Sequence, residues 1–318
     1  MKLIIQIPCY NEEKTLPQTI KDLPKRIKGV SKIEYLIIND GSKDKTVEVA
    51  QKCGVHHIVS LRQNRGLANA FRTGLMESLK RGADIIVNTD ADNQYKGADI
   101  PKLIEPILAG RAQMVIGERP ITDNPDFSFI KKVLQKLGSF VVRVLSGTKV
   151  PDAPSGFRAY TKEAALRLNV LSKYTYTLET IIQAGRNGIP IESVKIRTNL
   201  KTRESRLFKN MFQYIFRSVV TMIRMFAVYS SFLFFSLIGG AFLTFGSILF
   251  VRFIWLVYVA PDMPMRTHLP SVVVGSSSVL MGILMIAIGF LAEIISHNRK
   301  LSEDILYRIK KDEIERLK

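Results

Sequence analysis

Cysteine is nearly missing from this 318-residue chain, which has 2, Cys9 and Cys53. Two thiols cannot build a disulfide framework, and so low a count suits a reducing compartment. Cys9 lies within an apolar start and reads as a small core residue. Acid is also in deficit: 28 Asp and Glu face 46 Lys and Arg, for a formal net charge of +18. That balance points to anionic partners, whether nucleic acid, phosphorylated substrates or an acidic membrane surface. No glycine-spaced loop precedes Gly41-Ser42-Lys43, and no G-x-G-x-x-G follows the first apolar run. A nucleotide is therefore not held by a P-loop or a dinucleotide fold. Met1–Pro8 is too short an apolar stretch for a signal peptide. No internal repeat or low-complexity segment stands out.

Long uncharged runs are present, and both are late in the chain. Ala227 to Val251 and Val272 to Ala292 are uncharged over about 25 and about 21 residues, each enough to cross a bilayer. Arg206, Lys209, Arg217 and Arg224 crowd before the first run; Arg299, Lys300, Arg308, Lys310 and Lys311 follow the second. The link between them holds only Asp262 and Arg266 as charges, so the positive-inside rule expects both chain ends in the cytoplasm. Arg252, at the outer end of the first run, can snorkel to the interface.

Residues 3–118 alternate β-rich runs with helical periods, the pattern of a parallel α/β sheet. Strands are expected at Leu3–Ile7, Tyr35–Asn39, His57–Ser60, Ile85–Thr89 and Met114–Gly117. Helices are expected near Thr15–Leu23, Lys45–Cys53, Leu67–Arg81 and Ile100–Ala109. The first four strands each release a polar or acidic loop at one edge, where open α/β sheets bind ligands. Asp40, in Asn39-Asp40-Gly41-Ser42, suits a ribose hydroxyl or a base N–H, or alternatively caps a helix. In Asp90-Ala91-Asp92-Asn93-Gln94, residues two apart face the same way on an extended backbone. Asp90, Asp92 and Gln94 then present hard oxygen ligands for Mg²⁺ or Mn²⁺ bridging phosphates. The competing reading is a turn that caps the next helix.

Pro8-Cys9-Tyr10-Asn11-Glu12, Asn39-Asp40-Gly41-Ser42, Asn64-Arg65-Gly66 with Ala70 and Gly74, and Asp90-Ala91-Asp92 together resemble family 2 glycosyltransferases of the GT-A fold. Asp152-Ala153-Pro154-Ser155-Gly156-Phe157-Arg158 resembles the D-x-x-S-G-F-R stretch of the polyprenyl-phosphate branch, typified by dolichyl-phosphate mannose synthase. The similarity covers residues 3–207, and the ordered set of motifs is far more specific than any one of them.

The resemblance implies an α/β GT-A, Rossmann-like, mostly parallel sheet with amphipathic interface helices, followed by two transmembrane helices. It also implies a metal-dependent, inverting transfer of one sugar from a UDP- or GDP-linked donor to dolichyl or undecaprenyl phosphate. On the matching positions, the nucleotide falls to Pro8, Tyr10, Asn11, Glu12, Asp40, Arg65, Gly66, Asp90, Ala91 and Asp92. The metal falls to Asp90, Asp92 and Gln94, with Asp90 shared with the nucleotide. The acceptor phosphate falls to Arg119, Lys131 and Arg158, and the diphosphate to Arg203, Arg206 and Lys209. Glu179 matches an acidic position suited to the sugar, against the alternative of an ordinary first-turn helix carboxylate. One departure is Thr202-Arg203-Glu204-Ser205-Arg206, where relatives often carry Arg-Gly-Glu-Ser-Lys.

Phe129 to Leu145 and Arg206 to Phe226 carry apolar residues at helical spacing with basic residues beside them, which suits helices lying in the headgroup region, against the alternative of core helices packed on the sheet. The expected layout is a catalytic domain at 1–205, an interface helix at 206–226, a transmembrane hairpin at 227–295 and a basic cytoplasmic tail at 296–318. The tail's alternating charges suit a solvated helix or packing on a neighbouring subunit. Gly239-Gly240 and Ser276-Ser277-Ser278 permit close helix packing, such as a homo-oligomer would use. Three rivals are weaker. A processive polysaccharide synthase would carry Gln-x-x-Arg-Trp, yet the sole Trp is Trp255 beside the first span. A membrane-anchored nucleotide- or lipid-binding adaptor has no need of the Asp90/Asp92 pair. Nucleic-acid binding explains the charge but not an acidic crevice, and no such module is recognisable.

Overall fold

The computed structural model describes residues 1–120, 129–170, 176–199, 211–259 and 269–316. Seven strands form one sheet: β1 (Lys2–Cys9), β2 (Lys32–Asn39), β3 (His57–Ser60), β4 (Ile85–Asn88), β5 (Met114–Glu118), β6 (Arg158–Thr161) and β7 (Ile191–Lys195). Their order is β3-β2-β1-β4-β6-β5-β7. All neighbours are parallel except β6, which runs antiparallel between β4 and β5.

β1 and β4 are buried along almost their whole length, and mostly apolar apart from Gln6 and Asn88, because both faces of a parallel sheet are covered. The helices between strands are α1 (Leu16–Asp22), α2 (Thr46–Lys52), α3 (Leu67–Lys80) and α4 (Ile100–Leu108). After β5 come α5 (Phe129–Ser146), α6 (Lys162–Arg167) and α7 (Thr177–Arg186). α3 packs on β1 and β2, α4 on β5, and α5 on α7. The five expected strands are all present. β6 and β7 were not foreseen, since each is short and carries polar residues in place of an apolar run.

Two units emerge from the contacts, Met1–Val219 with Glu303–Lys318, and Val220–Ser302. α8 (Met211–Tyr229) runs from one into the other, as does α10 (Leu269–Arg316). The second unit contains α9 (Ser231–Tyr258) and the apolar part of α10, each long and apolar enough to span a bilayer. Their backbones touch at glycines. A Cβ on Gly239 would lie 2.7 Å from the Gly282 carbonyl oxygen, and one on Gly246 would lie 2.8 Å from that of Gly275. The pairs 239/246 and 275/282 each recur after two helical turns, so α9 and α10 meet along one small-residue seam. Most large side chains away from that seam are exposed, Trp255 and Phe290 among them.

α5 divides its apolar residues. Val142 and Leu145 are buried, whereas Leu137, Phe140 and Val144 stand 48%, 54% and 64% exposed along the opposite side. On α8, Phe216, Val219 and Ile223 are likewise exposed.

Candidate active site at the carboxyl edge of the sheet

The loops after β1, β2 and β3 are tied to one another by hydrogen bonds from backbone to side chain. After β1, Asn11 takes a left-handed conformation (φ 56°). Its backbone N–H donates to Ser42 Oγ at 3.0 Å, and its Oδ1 accepts from the Lys43 N–H at 2.8 Å. Pro8 is buried in the strand, and Tyr10 stands 38% exposed at its end. Glu12 is buried; its N–H donates to Thr46 Oγ1 at 2.8 Å and its Oε2 accepts from the Thr15 hydroxyl at 2.7 Å.

Asp40 does not cap α2, whose N-cap is Lys45. Its carboxylate instead accepts the backbone N–H groups of Arg65 at 2.8 Å and Gly66 at 2.9 Å, locking the loop after β3 to the end of β2. Each oxygen keeps a second lone-pair direction for a ribose or base donor. Gly41 is required here: φ is +69°, and a Cβ would lie 2.6 Å from the Gln63 backbone.

After β4, Asp90 and Asp92 are half-buried while Ala91 is buried, its carbonyl accepting from the Thr19 hydroxyl at 2.9 Å. Asp92 Oδ1 accepts the Gln94 N–H at 3.1 Å, the turn that keeps this loop compact. Asn199 straps it from the far side, donating to the Gln94 and Asn93 carbonyls at 2.9 and 3.0 Å. Beneath lies a buried polar network. Gln6 Nε2 donates to Asn88 Oδ1 at 2.9 Å, and Asn88 Nδ2 donates to the Gly156 carbonyl and the Tyr176 hydroxyl, both at 2.9 Å. Polar residues inside the buried runs of β1 and β4 were the signal for this network.

Arg119 follows β5 and forks onto Asp152, Nε to Oδ2 at 2.8 Å and Nη2 to Oδ1 at 2.9 Å. Burial opposes the guanidinium charge, but Tyr95, Asp152 and Asp90 hold its pKa above the ordinary value. The Tyr95 hydroxyl accepts the Gly156 N–H at 2.9 Å, and burial raises its pKa to about 12. Asp90, Tyr95, Arg119, Asp152 and Gly156 thus form one electrostatic neighbourhood. Asp152 and Tyr95 were missed as site residues; Asp152 opened the D-x-x-S-G-F-R stretch and was the available clue.

Arg158 turns inward. It is fully buried, and its guanidinium donates to the carbonyls of Ser155, Thr177 and Ala153 and to Thr180 Oγ1, at 2.7, 2.8, 2.7 and 2.7 Å. Those bonds use four of its five N–H donors to hold the 153–155 turn against α7, a structural role in the described residues. Glu179, also buried, lies in the first turn of α7 with Gln183 Nε2 3.5 Å from its Oε1. Lys131 is on α5, its side chain outside the described set, and Arg203, Arg206 and Lys209 lie outside the described residues.

Among the described residues no cluster of three or more His, Cys, Asp and Glu side chains could hold a metal. Two carboxylates with an amide nearby suit Mg²⁺ or Mn²⁺ completed by substrate phosphates, not a cage built wholly of protein.

The profile of glycosyl transferase family 2 matches residues 4–168, more than half of the chain. The chain belongs to that family. Among curated relatives of this glycosyltransferase is the UDP-N-acetylglucosamine–dolichyl-phosphate N-acetylglucosaminyltransferase of Methanococcus voltae, 33% identical over 60% of this chain and 83% of the relative. The undecaprenyl-phosphate mannosyltransferase of Micrococcus luteus is 27% identical over 62% and 83%. A solved glucosyl-3-phosphoglycerate synthase from Mycobacterium tuberculosis, in complex with Mn²⁺ and UDP-glucose, superposes with a TM-score of 0.52 at 20% identity, over 71% of this chain and 78% of that one. That likeness establishes the GT-A-like fold. Both relatives are named for transfer to a polyprenyl phosphate, and this chain carries two helices long and apolar enough to cross a membrane.

Proposed function

We propose that the protein moves one sugar, with inversion, from a UDP- or GDP-linked donor to a membrane polyprenyl phosphate, dolichyl or undecaprenyl. The observation that carries this reading is the Asp90/Asp92 loop beside the Arg119–Asp152 pair, in a family member that also has two bilayer-length helices. The tied loops bearing Tyr10, Glu12, Asp40 and Gly66 form a rigid seat for the nucleoside. Asp90, Asp92 and Gln94 would hold Mg²⁺ or Mn²⁺, which would neutralise charge on the departing diphosphate. Arg119, kept cationic and aimed by Asp152, attracts the acceptor phosphate. An acceptor oxygen attacks the anomeric carbon as the bond to the diphosphate breaks on the opposite face. The acceptor's second pKa is near about 6, so it is already an anion at neutral pH and needs no strong base. Glu179 orients the sugar.

The positive-inside pattern supports a cytoplasmic catalytic unit. The exposed apolar strips on α5 and α8, with Lys136 and Arg143 on α5, support docking at the headgroups, where the lipid phosphate is confined. The test is to incubate purified full-length protein with polyprenyl phosphate, Mn²⁺ or Mg²⁺ and a panel of radiolabelled nucleotide sugars. One donor is expected to yield a lipid-extractable product, chelation to abolish it, and Asp92→Asn to lower the rate about a hundredfold or more. If every donor fails, or Asp92→Asn keeps full activity, the reading is wrong.

A further inference from the structure

The end of α10 alternates acidic and basic residues, yet from Glu303 onward it belongs to the catalytic unit. Ile314 is buried, and Glu313 pairs with Lys80 of α3 at 2.9 Å. The Tyr307 hydroxyl donates to Glu163 Oε2 at 3.2 Å, and the Arg167 guanidinium lies over the Tyr307 ring at 4.8 Å. Lys310, well beyond the apolar stretch of α10, is placed differently from these surface partners. Its Nζ donates to the Leu168 carbonyl at 3.0 Å and to Asn169 Oδ1 at 2.6 Å.

Asn169 passes the contact inward. Its N–H donates to Gln183 Oε1 at 2.9 Å, and its carbonyl accepts from Gln183 Nε2 at 2.5 Å. That two-point clamp fixes the Gln183 amide, which lies one turn along α7 from Glu179 and 3.5 Å from its carboxylate. Asn169, Gln183 and Glu179 are all buried, so water does not substitute for a lost partner. The same helix is preceded by Tyr176, whose hydroxyl receives Asn88 beneath Asp90, and Thr177 and Thr180 anchor Arg158. Withdrawing an ammonium from water costs stability: burial, with Arg72 adding to it and Glu303 opposing, draws the Lys310 pKa down to about 8. A tail whose only task was solubility would leave that group in water.

We propose that Lys310 is a positioning residue for the transfer reaction, holding Glu179 and the start of α7 through Asn169 and Gln183, so that the tail of α10 completes the catalytic unit. This rests on the reading of the chain as a sugar transferase with Glu179 on the sugar. The experiment compares full-length wild type, Lys310→Ala, Lys310→Arg and Glu313→Gln by hydrogen–deuterium exchange and by kinetics with the active donor. Lys310→Ala is expected to speed exchange in peptides covering 176–186 while β1 and β2 stay protected. It is expected to lower kcat about threefold to tenfold with the donor KM nearly unchanged. Lys310→Arg, which keeps donors for both oxygens, should restore most of the rate. Glu313→Gln, which loosens the tail without touching Asn169, should leave kcat and 176–186 exchange near wild type. Unchanged exchange in Lys310→Ala, or an equal loss in Glu313→Gln, would overturn the proposal in favour of simple docking. If no donor in the panel gives product, the transferase reading falls, and the exchange comparison still decides for or against the link.

Discussion

A single methyl group at Gly156 should weaken catalysis through Asp90. A Cβ there would lie 3.0 Å from the Tyr176 hydroxyl and 3.2 Å from each Asp90 carboxylate oxygen. Comfortable carbon contacts begin near about 3.5 Å, so something must yield by a few tenths of an ångström. Tyr176 is not free to do so. Its ring stacks on Phe71 at 3.8 Å between centroids, and Asn88 holds its hydroxyl. Asp90 is half-buried at the loop surface and is the group that moves. A 1 Å misplacement at a reacting centre costs about a hundredfold, so a shift of a few tenths should cost about threefold to tenfold in kcat/KM for the donor. The metal concentration needed for half-maximal rate should rise as well. Overpacking adds about 1–3 kcal/mol of destabilisation, which thermal unfolding in detergent reads separately. Gly138→Ala is the control, since a Cβ on Gly138 meets nothing within 4 Å. If folded Gly156→Ala keeps the wild-type kcat/KM and metal dependence, Asp90 is not the carboxylate on which the reaction depends.

Two further outcomes separate structure from chemistry. Arg158→Met should cost about 3 kcal/mol or more by stranding buried carbonyl groups, seen as loss of folded protein; a stable variant with a selectively raised acceptor KM would refute the structural assignment. Glu34 carries a pH signature: burial pushes its carboxyl pKa up, but hydrogen bonds from Lys2, Lys32 and His57 outweigh this and lower it from 4.5 to about 2. Its contribution is therefore complete above pH 4.5 and lost as pH falls through about 2. Allowing for solvent around Lys32, that is about 1–3 kcal/mol. The melting difference between wild type and Glu34→Gln should be full at pH 7 and shrink toward pH 2; a difference that is flat with pH would sink the assignment.

The acidic half of the site was legible because its residues follow apolar strands, and the ends of apolar runs advertise themselves in sequence. β1 to β5 and the loops at Asn11, Asp40 and Asp90 were read in that way. The other half is carried by elements without an apolar run. β6 has an arginine and a tyrosine where an apolar run would announce a strand. A motif fixes which residue stands at a position, not which way its side chain turns, and Arg158 turns inward at the position paired with Asn88. The tail misled for a related reason. Tyr307, Lys310 and Ile314 share one side of α10, but a single aromatic, a lysine and an isoleucine make too thin a stripe to stand out among so many charges.

Antiparallel β6 is what makes the site complete. β4 and β5 both run toward the edge where their loops bear Asp90 and Arg119. β6 lies between them in the opposite sense, with Arg158 opposite Asn88 on one side and Ile116 on the other. Its amino-terminal end therefore sits at that same edge, and the residues leading into it, Asp152 to Phe157, arrive beside Asp90. Asp152 meets Arg119, Gly156 presses on Asp90, and Phe157 stacks on Tyr95 at 5.0 Å. A parallel β6 would bring that segment in at the far end of the strand. At about 3.3 Å per residue, a strand this short would still leave it roughly 10 Å or more from the acids. One reversed strand thus joins the loops that end the parallel strands to the Arg119–Asp152 pair, the proposed donor and acceptor sides of the site. It also explains why Asp90, far from Arg119 in sequence, helps keep the Arg119 guanidinium charged.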